Sequence, residues 1–183
     1  MEIVQQQKEI QKLSAHSASC TTPYLLSKTH HFIKLAKQVA QTSDDLDTQV
    51  GCIFTNSKHQ VISQGSNKLV NGCTSTKIRT TRPTKYNWIE HAERNAIYAA
   101  AKAGTSLEGS TIYVTLWPCI DCARAIIQCG CTKVVAKEKP DLDCPRWGDK
   151  FKLSIEMFAE VGMKYSFASD DEVPPVSEQE SRI

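Results

Sequence analysis

Apolar positions in the first part of the chain fall at helical spacing: Leu25, Phe32, Ala36 and Val39 predict an amphipathic helix that ends before the polar run "TSDD" at 42–45. The period then changes. "VGCIFT" (50–55) and "QVISQG" (60–65) are short strand-like runs around the turn-prone "NSKH", and together they predict a hairpin. From Ala92 onward the small residues Ala96, Ala99 and Ala103 share one helical face, and Gly104 supplies the expected helix stop. "TIYVTLW" alternates apolar and polar positions, "IDCARAIIQCG" reads as a helix ended by Gly130, and "CTKVVAK" reads as a strand. Phe151, Ile155, Phe158 and Gly162 outline a last helix before the strand-like "MKYSF". This order predicts a sheet flanked by helices on both faces, of the three-layer α/β class, with the hairpin adding an antiparallel edge to later parallel strands.

The two ends depart from this patterning. Residues 1–22 are polar with sparse apolar positions and read as a frayed helix or tail, while residues 170–183 are acidic and proline-bearing and read as a disordered tail. One folded domain over 23–169 is expected, and a chain of 183 residues is long enough to bury a core without disulfides. The balance of 22 basic against 20 acidic residues argues against nucleic acid as the main partner. No apolar run approaches the roughly 20 residues of a membrane span, so no membrane partner is expected. The start lacks the basic and apolar regions of a secretory signal, and a cytoplasmic location is the expectation. In that setting the eight cysteines read as free thiols, core residues or metal ligands rather than a disulfide framework.

Only Cys119 and Cys122 have ligand spacing. Three residues apart at a helix start, they place both sulfurs on one face, and the helix N-terminus favours the thiolate that a metal needs. His91 and Glu93 stand at the preceding helix start, on the rim where sheets of this class bind ligands. Residues two apart in a regular helix point to nearly opposite sides, so His91 and Glu93 converge only if His91 lies at the helix mouth, before helical dihedrals set in. One nitrogen and two thiolates describe a catalytic zinc site with a fourth position left for water as nucleophile. Cys129 and Cys131 lie roughly 15 Å or more along a helix from Cys119, too far to close the tetrahedron. Cys73 stays open as a fourth ligand. Glu93 is then better placed as acid/base than as ligand, and H-x-E followed by P-C-x-x-C is the pattern of zinc nucleobase deaminases. Each half of the pattern alone is weak; both in order at two helix starts are specific.

On "VGCIF", "GSNKLVNGC", "HAERNAI", "VTLWPCIDCARAII" and the strand "KVV", the chain from Thr48 to Phe167 resembles the cytidine deaminase superfamily, and within it the deoxycytidylate deaminase family. The resemblance implies a three-layer α-β-α fold with a central mixed five-stranded sheet. It implies zinc held by His91, Cys119 and Cys122, proton transfer by Glu93, and substrate contacts by Asn67, the Ala92 backbone and the pocket-lining Trp117. It further implies hydrolytic deamination of a small-molecule cytosine nucleotide, dCMP to dUMP, in a homo-oligomer. Ser66, Val70 and Arg94 depart from the residues usual in that family, the first two in the loop expected over sugar and phosphate. Lys77, Arg79, Arg82 and Lys85 are candidate phosphate cations, with a solvated loop as the equal alternative. Three other readings remain: deamination of another cytosine nucleoside or nucleotide such as dCTP or cytidine, a tRNA adenosine deaminase, which shares the zinc motif, and a zinc-stabilised binding module without activity.

Overall fold

The computed structural model describes residues 23–168. The readings of both tails lie outside the described residues, and so does the side chain of Leu25.

Helix α1 (Pro23–Ala40) leads into the hairpin of β1 (Gly51–Thr55) and β2 (Val61–Ser66). A short strand β3 (Lys68–Leu69), one helical turn α2 (Lys77–Thr80), a 3-10 turn (Thr84–Asn87) and β4 (Ile89–Glu90) follow before helix α3 (Ala92–Lys102). The remainder alternates as β5 (Thr111–Val114), α4 (Ile120–Gln128), β6 (Lys133–Ala136), α5 (Gly148–Glu160) and β7 (Lys164–Phe167). The main sheet has five strands in the order β2-β1-β5-β6-β7. β1 pairs antiparallel with both β2 and β5, whereas β5, β6 and β7 run parallel. The antiparallel edge on a parallel sheet is thus as the sequence predicts. β3 and β4 form a separate antiparallel ladder that periodicity does not reveal, because two-residue strands carry no readable period.

Alternation along the central strands divides the core between two faces. Ile53, Tyr113 and Val135 point to one side and pack against Phe32 and Ile33 of α1. Cys52, Phe54, Ile112, Val114, Val134 and Ala136 point to the other, where α3, α4 and α5 supply Ala92, Ala96, Ala123, Ile126, Phe151 and Phe158. The result is the three-layer α-β-α arrangement, and it matches the expected fold. β5 is shorter than its sequence pattern: the strand ends at Val114, Thr115 still donates to the Gly51 carbonyl of β1, and the chain then leads to α4.

The helix stops at Gly104 and Gly130 are as expected, with φ of 64° and 80°. The packed face of α3 differs from the prediction. Ala92, Ala96 and Ala100 are buried, while Ala99 and Ala103 are exposed. A helix this rich in alanine offers several small-residue stripes, and the sheet selects among them through Gly65. A Cβ built at Gly65 would lie 2.4 Å from the Ala92 carbonyl oxygen and 2.6 Å from the Ala96 amide nitrogen, so β2 and α3 touch backbone to backbone. Ser63 Oγ donates to the Ala96 carbonyl at 2.6 Å on the same interface. Gly65→Ala is therefore expected to destabilise the fold by about 1–3 kcal/mol through overpacking, read as a lower denaturant midpoint.

Candidate active site

Two helix mouths meet at the carboxyl end of the sheet. His91 precedes α3 with φ −73° and ψ 153°, and Cys119 precedes α4 with φ −71° and ψ 170°; both are extended, and both carbonyls already accept the first helical hydrogen bond. His91 therefore occupies the one kind of position from which it and Glu93 can face the same space. Pro118 introduces α4, and Cys122 follows one turn later with no exposed surface.

The His91 Nδ1 atom lies 3.5 Å from Cys119 Sγ and 3.4 Å from Cys122 Sγ. All three donors fall within 4.8 Å of one another, and among the described residues no other group of His, Cys, Asp or Glu does so. A tetrahedral zinc with bonds of ordinary length spaces a nitrogen and a sulfur by about 3.6 Å. The donor types and their separations therefore fit zinc. Cys73 lies outside this group, Cys129 donates to the Ile126 carbonyl, and Cys131 is buried against the Ser110 carbonyl, so none of the three supplies a fourth donor.

The groups share their protons unequally. Cys119 is held down to about 4, first by the hydrogen bond from Cys122, with burial opposing and His91 helping. Cys122 is pushed well up by donating that bond and by burial, and His91 is raised by its bond to Cys119. Glu93, 3% exposed, is raised chiefly by burial. A carboxyl group that is hard to ionise in a closed pocket is suited to take up and release a proton.

The pocket around these groups is lined by Ala92, Asn67, Thr48, Ile89, Leu116, Trp117 and an aromatic edge of Tyr86, Trp147 and Phe151. Asn67 is heavily engaged. Its Oδ1 accepts from the Val50 amide at 2.8 Å and from Ser43 Oγ at 2.6 Å, and its Nδ2 donates to the Thr48 carbonyl at 2.8 Å, which leaves one N–H uncommitted. Ala92 is fully buried at the helix start. Trp117 also borders the pocket, but its indole N–H donates to Ser154 Oγ at 2.7 Å and its ring packs among Phe158, Tyr165 and Phe167. It supports the site from beneath.

The four cations of the 77–85 segment part company. Arg82 borders the pocket, half exposed and paired with Asp47 at 3.5 Å. Arg79 stacks over Trp88 at 3.9 Å. Lys77 sits on α2, which buries no side chain. Lys85 is 2% exposed, with Nζ 2.7 Å from both oxygens of Asp45, so it is no free cation for a phosphate. Sequence reasoning missed Trp147, whose ring meets that of His91 edge-on at 6.0 Å and stacks on Phe151 at 6.4 Å. Its only local signal is an aromatic residue directly before a helix, which by itself says nothing of a site. Arg94, the departure noted after Glu93, makes an ion pair with Glu90, whose Oε1 also accepts from the His91 amide at 2.8 Å.

Three donors able to hold a metal, with a buried carboxyl group beside them, are the arrangement of the metal-assisted hydrolases. Residues 26–138 match the family described as "Cytidine and deoxycytidylate deaminase zinc-binding region". An uncharacterized deaminase from the luxG 3′ region of Aliivibrio fischeri is 37% identical over 137 residues, covering 74% of this chain and 90% of that protein. The deoxycytidylate deaminase of Homo sapiens is 37% identical over 111 residues, which span 57% of this chain and 61% of that one. Among solved structures, the dCMP deaminase of cyanophage S-TIM5 in its apo form superposes with a TM-score of 0.61 at 25% identity, covering 79% of this chain and 98% of that chain. The chain belongs to the cytidine and deoxycytidylate deaminase family. No helix among the described residues is long and apolar enough to cross a membrane.

Proposed function

We propose that the protein catalyses the hydrolytic deamination of dCMP to dUMP with release of ammonia, using His91, Cys119 and Cys122 to hold zinc and Glu93 to move protons. The observation that carries this reading is the convergence of the three donors beside the pocket that His91, Cys119 and the buried Glu93 line. The deoxycytidylate deaminases among its relatives support the choice of nucleotide.

Zinc bound there supplies the Lewis acidity that makes water a nucleophile near neutral pH. Glu93 accepts a proton from the attacking water and delivers it to N3 of the cytosine ring, which draws electrons away from C4 as the new C–O bond forms. A second proton passes through Glu93 to the exocyclic amine, the C4–N bond breaks, and ammonia leaves with the uracil carbonyl in its place. Water and cytosine thus balance uracil and ammonia. The free N–H of Asn67 and the start of α3 at Ala92 orient the nucleoside. Tyr86 and Trp147 offer aromatic faces and edges to the base. Arg82, loosely paired and half exposed, is the cation best able to exchange its partner for a phosphate. The family resemblance also supports a homo-oligomer, which sedimentation would read.

A panel of dCMP, CMP, deoxycytidine, dCTP and unmodified tRNA, assayed for ammonia with zinc-loaded protein, tests the substrate. Turnover confined to dCMP is the expected result. Faster turnover of the free nucleoside or the triphosphate would reassign the substrate within the class, and reaction of tRNA alone would overturn the nucleotide reading.

A further inference from the structure

Lys85 and Asp45 form a buried ion pair in the lining of the pocket, with relative exposures of 2% and 5%. A buried ammonium is stable only when paired, and this one meets both Asp45 oxygens at 2.7 Å and Asp47 Oδ2 at 3.1 Å. An apolar pair of similar shape in such a place is commonly as stable or more so, so net stability does not explain the charges. Their direction does.

The segment the pair acts on has little ladder or helix of its own. Between Asp47 and Val50 three backbone amides donate to side chains: those of Asp47 and Thr48 to Asp45 Oδ1 at 3.0 and 3.2 Å, and that of Val50 to Asn67 Oδ1 at 2.8 Å. The orientation of the Asp45 carboxylate thus sets the backbone at 47–48, and the Lys85 ammonium sets that carboxylate. Lys85 itself stands on the 3-10 turn Thr84–Asn87, directly before the β4 strand that leads to His91. The pair therefore ties two edges of the pocket that are 40 residues apart in sequence, one carrying Thr48 and Val50, the other Tyr86 and Ile89.

We propose that Lys85 is a positioning residue for the deamination site, whose ammonium pins the 45–50 segment against the 84–89 segment and thereby fixes the shape of the nucleotide pocket. The inference rests on the nucleotide reading above for its kinetic arm only. Lys85→Met alone leaves Asp45 buried without its cation and endangers folding, so the test uses the charge-free double variant Asp45→Asn/Lys85→Met beside it.

The double variant is expected to melt close to the parent and to keep its zinc, yet to show KM for dCMP raised roughly tenfold or more with kcat little changed. Exchange of the Thr48 and Val50 amides, read by hydrogen–deuterium exchange of the zinc-loaded protein, is expected to quicken by roughly tenfold or more. Recovery of the parental KM and exchange rates together with parental stability would overturn the proposal and reduce the pair to a fold element. If the parent protein turns over no cytosine nucleotide, the substrate reading fails, and the exchange rates alone decide the positioning claim.

Discussion

Glu93→Gln is expected to abolish nearly all turnover, by about 10³–10⁴-fold in kcat, while zinc content and melting temperature stay close to the parent. Glutamine has the shape of the glutamate it replaces, and burial at 3% exposure penalises the charge of the glutamate, so an uncharged side chain of the same shape asks little of the fold. What it removes is the capacity to accept a proton and return it. Because the Glu93 carboxylate is not among the converging donors, metal retention should not change, and that separation of activity from metal is the informative part. Metal analysis alongside steady-state assay checks it. Turnover within tenfold of the parent would place the acid/base elsewhere.

The second large effect is expected at Cys119. Replacing it with alanine leaves a nitrogen and one sulfur, and zinc affinity should fall by more than the roughly 10–100-fold that outer-sphere changes cost. Cys119 lies at a helix mouth rather than within a strand or helix. Cys131→Ala is the matched control. Its thiol is equally buried, at 4% exposure, but lies outside the donor group, so the variant should lose some stability and keep its metal. Zinc measured after dialysis against a weak chelator distinguishes the two. Equal retention in both variants would remove Cys119 from the donor set.

The parts of the molecule that could be read from sequence are those whose signal is local. A histidine at a helix mouth two residues before a glutamate, and two cysteines one turn apart after a proline, carry their geometry in their spacing, and the structure brings His91, Glu93 and Cys119 to one pocket with the Cys122 sulfur beside the other two donors. The hairpin and the parallel strands are legible for the same reason. What was not legible depends on partners far apart in the chain. The packed stripe of α3 is chosen by Gly65 on β2, and alanine spacing alone cannot say so. Lys85 looks like a solvated cation until Asp45 is folded over it, and Trp147 has no spacing relation to the motif it borders. Arg79 is likewise taken up by Trp88, which leaves Arg82 as the pocket's exposed cation of the four.

The pocket beside His91, Cys119 and Cys122, with Glu93 in its lining, is expected to hydrolyse the amine from dCMP. The most direct test of this is mass spectrometry of dCMP incubated with the zinc-loaded protein in heavy-oxygen water. The expected product is dUMP that carries one solvent oxygen at C4, formed together with an equal amount of ammonia. Unchanged dCMP, in the presence of protein shown to hold one zinc per chain, would contradict it.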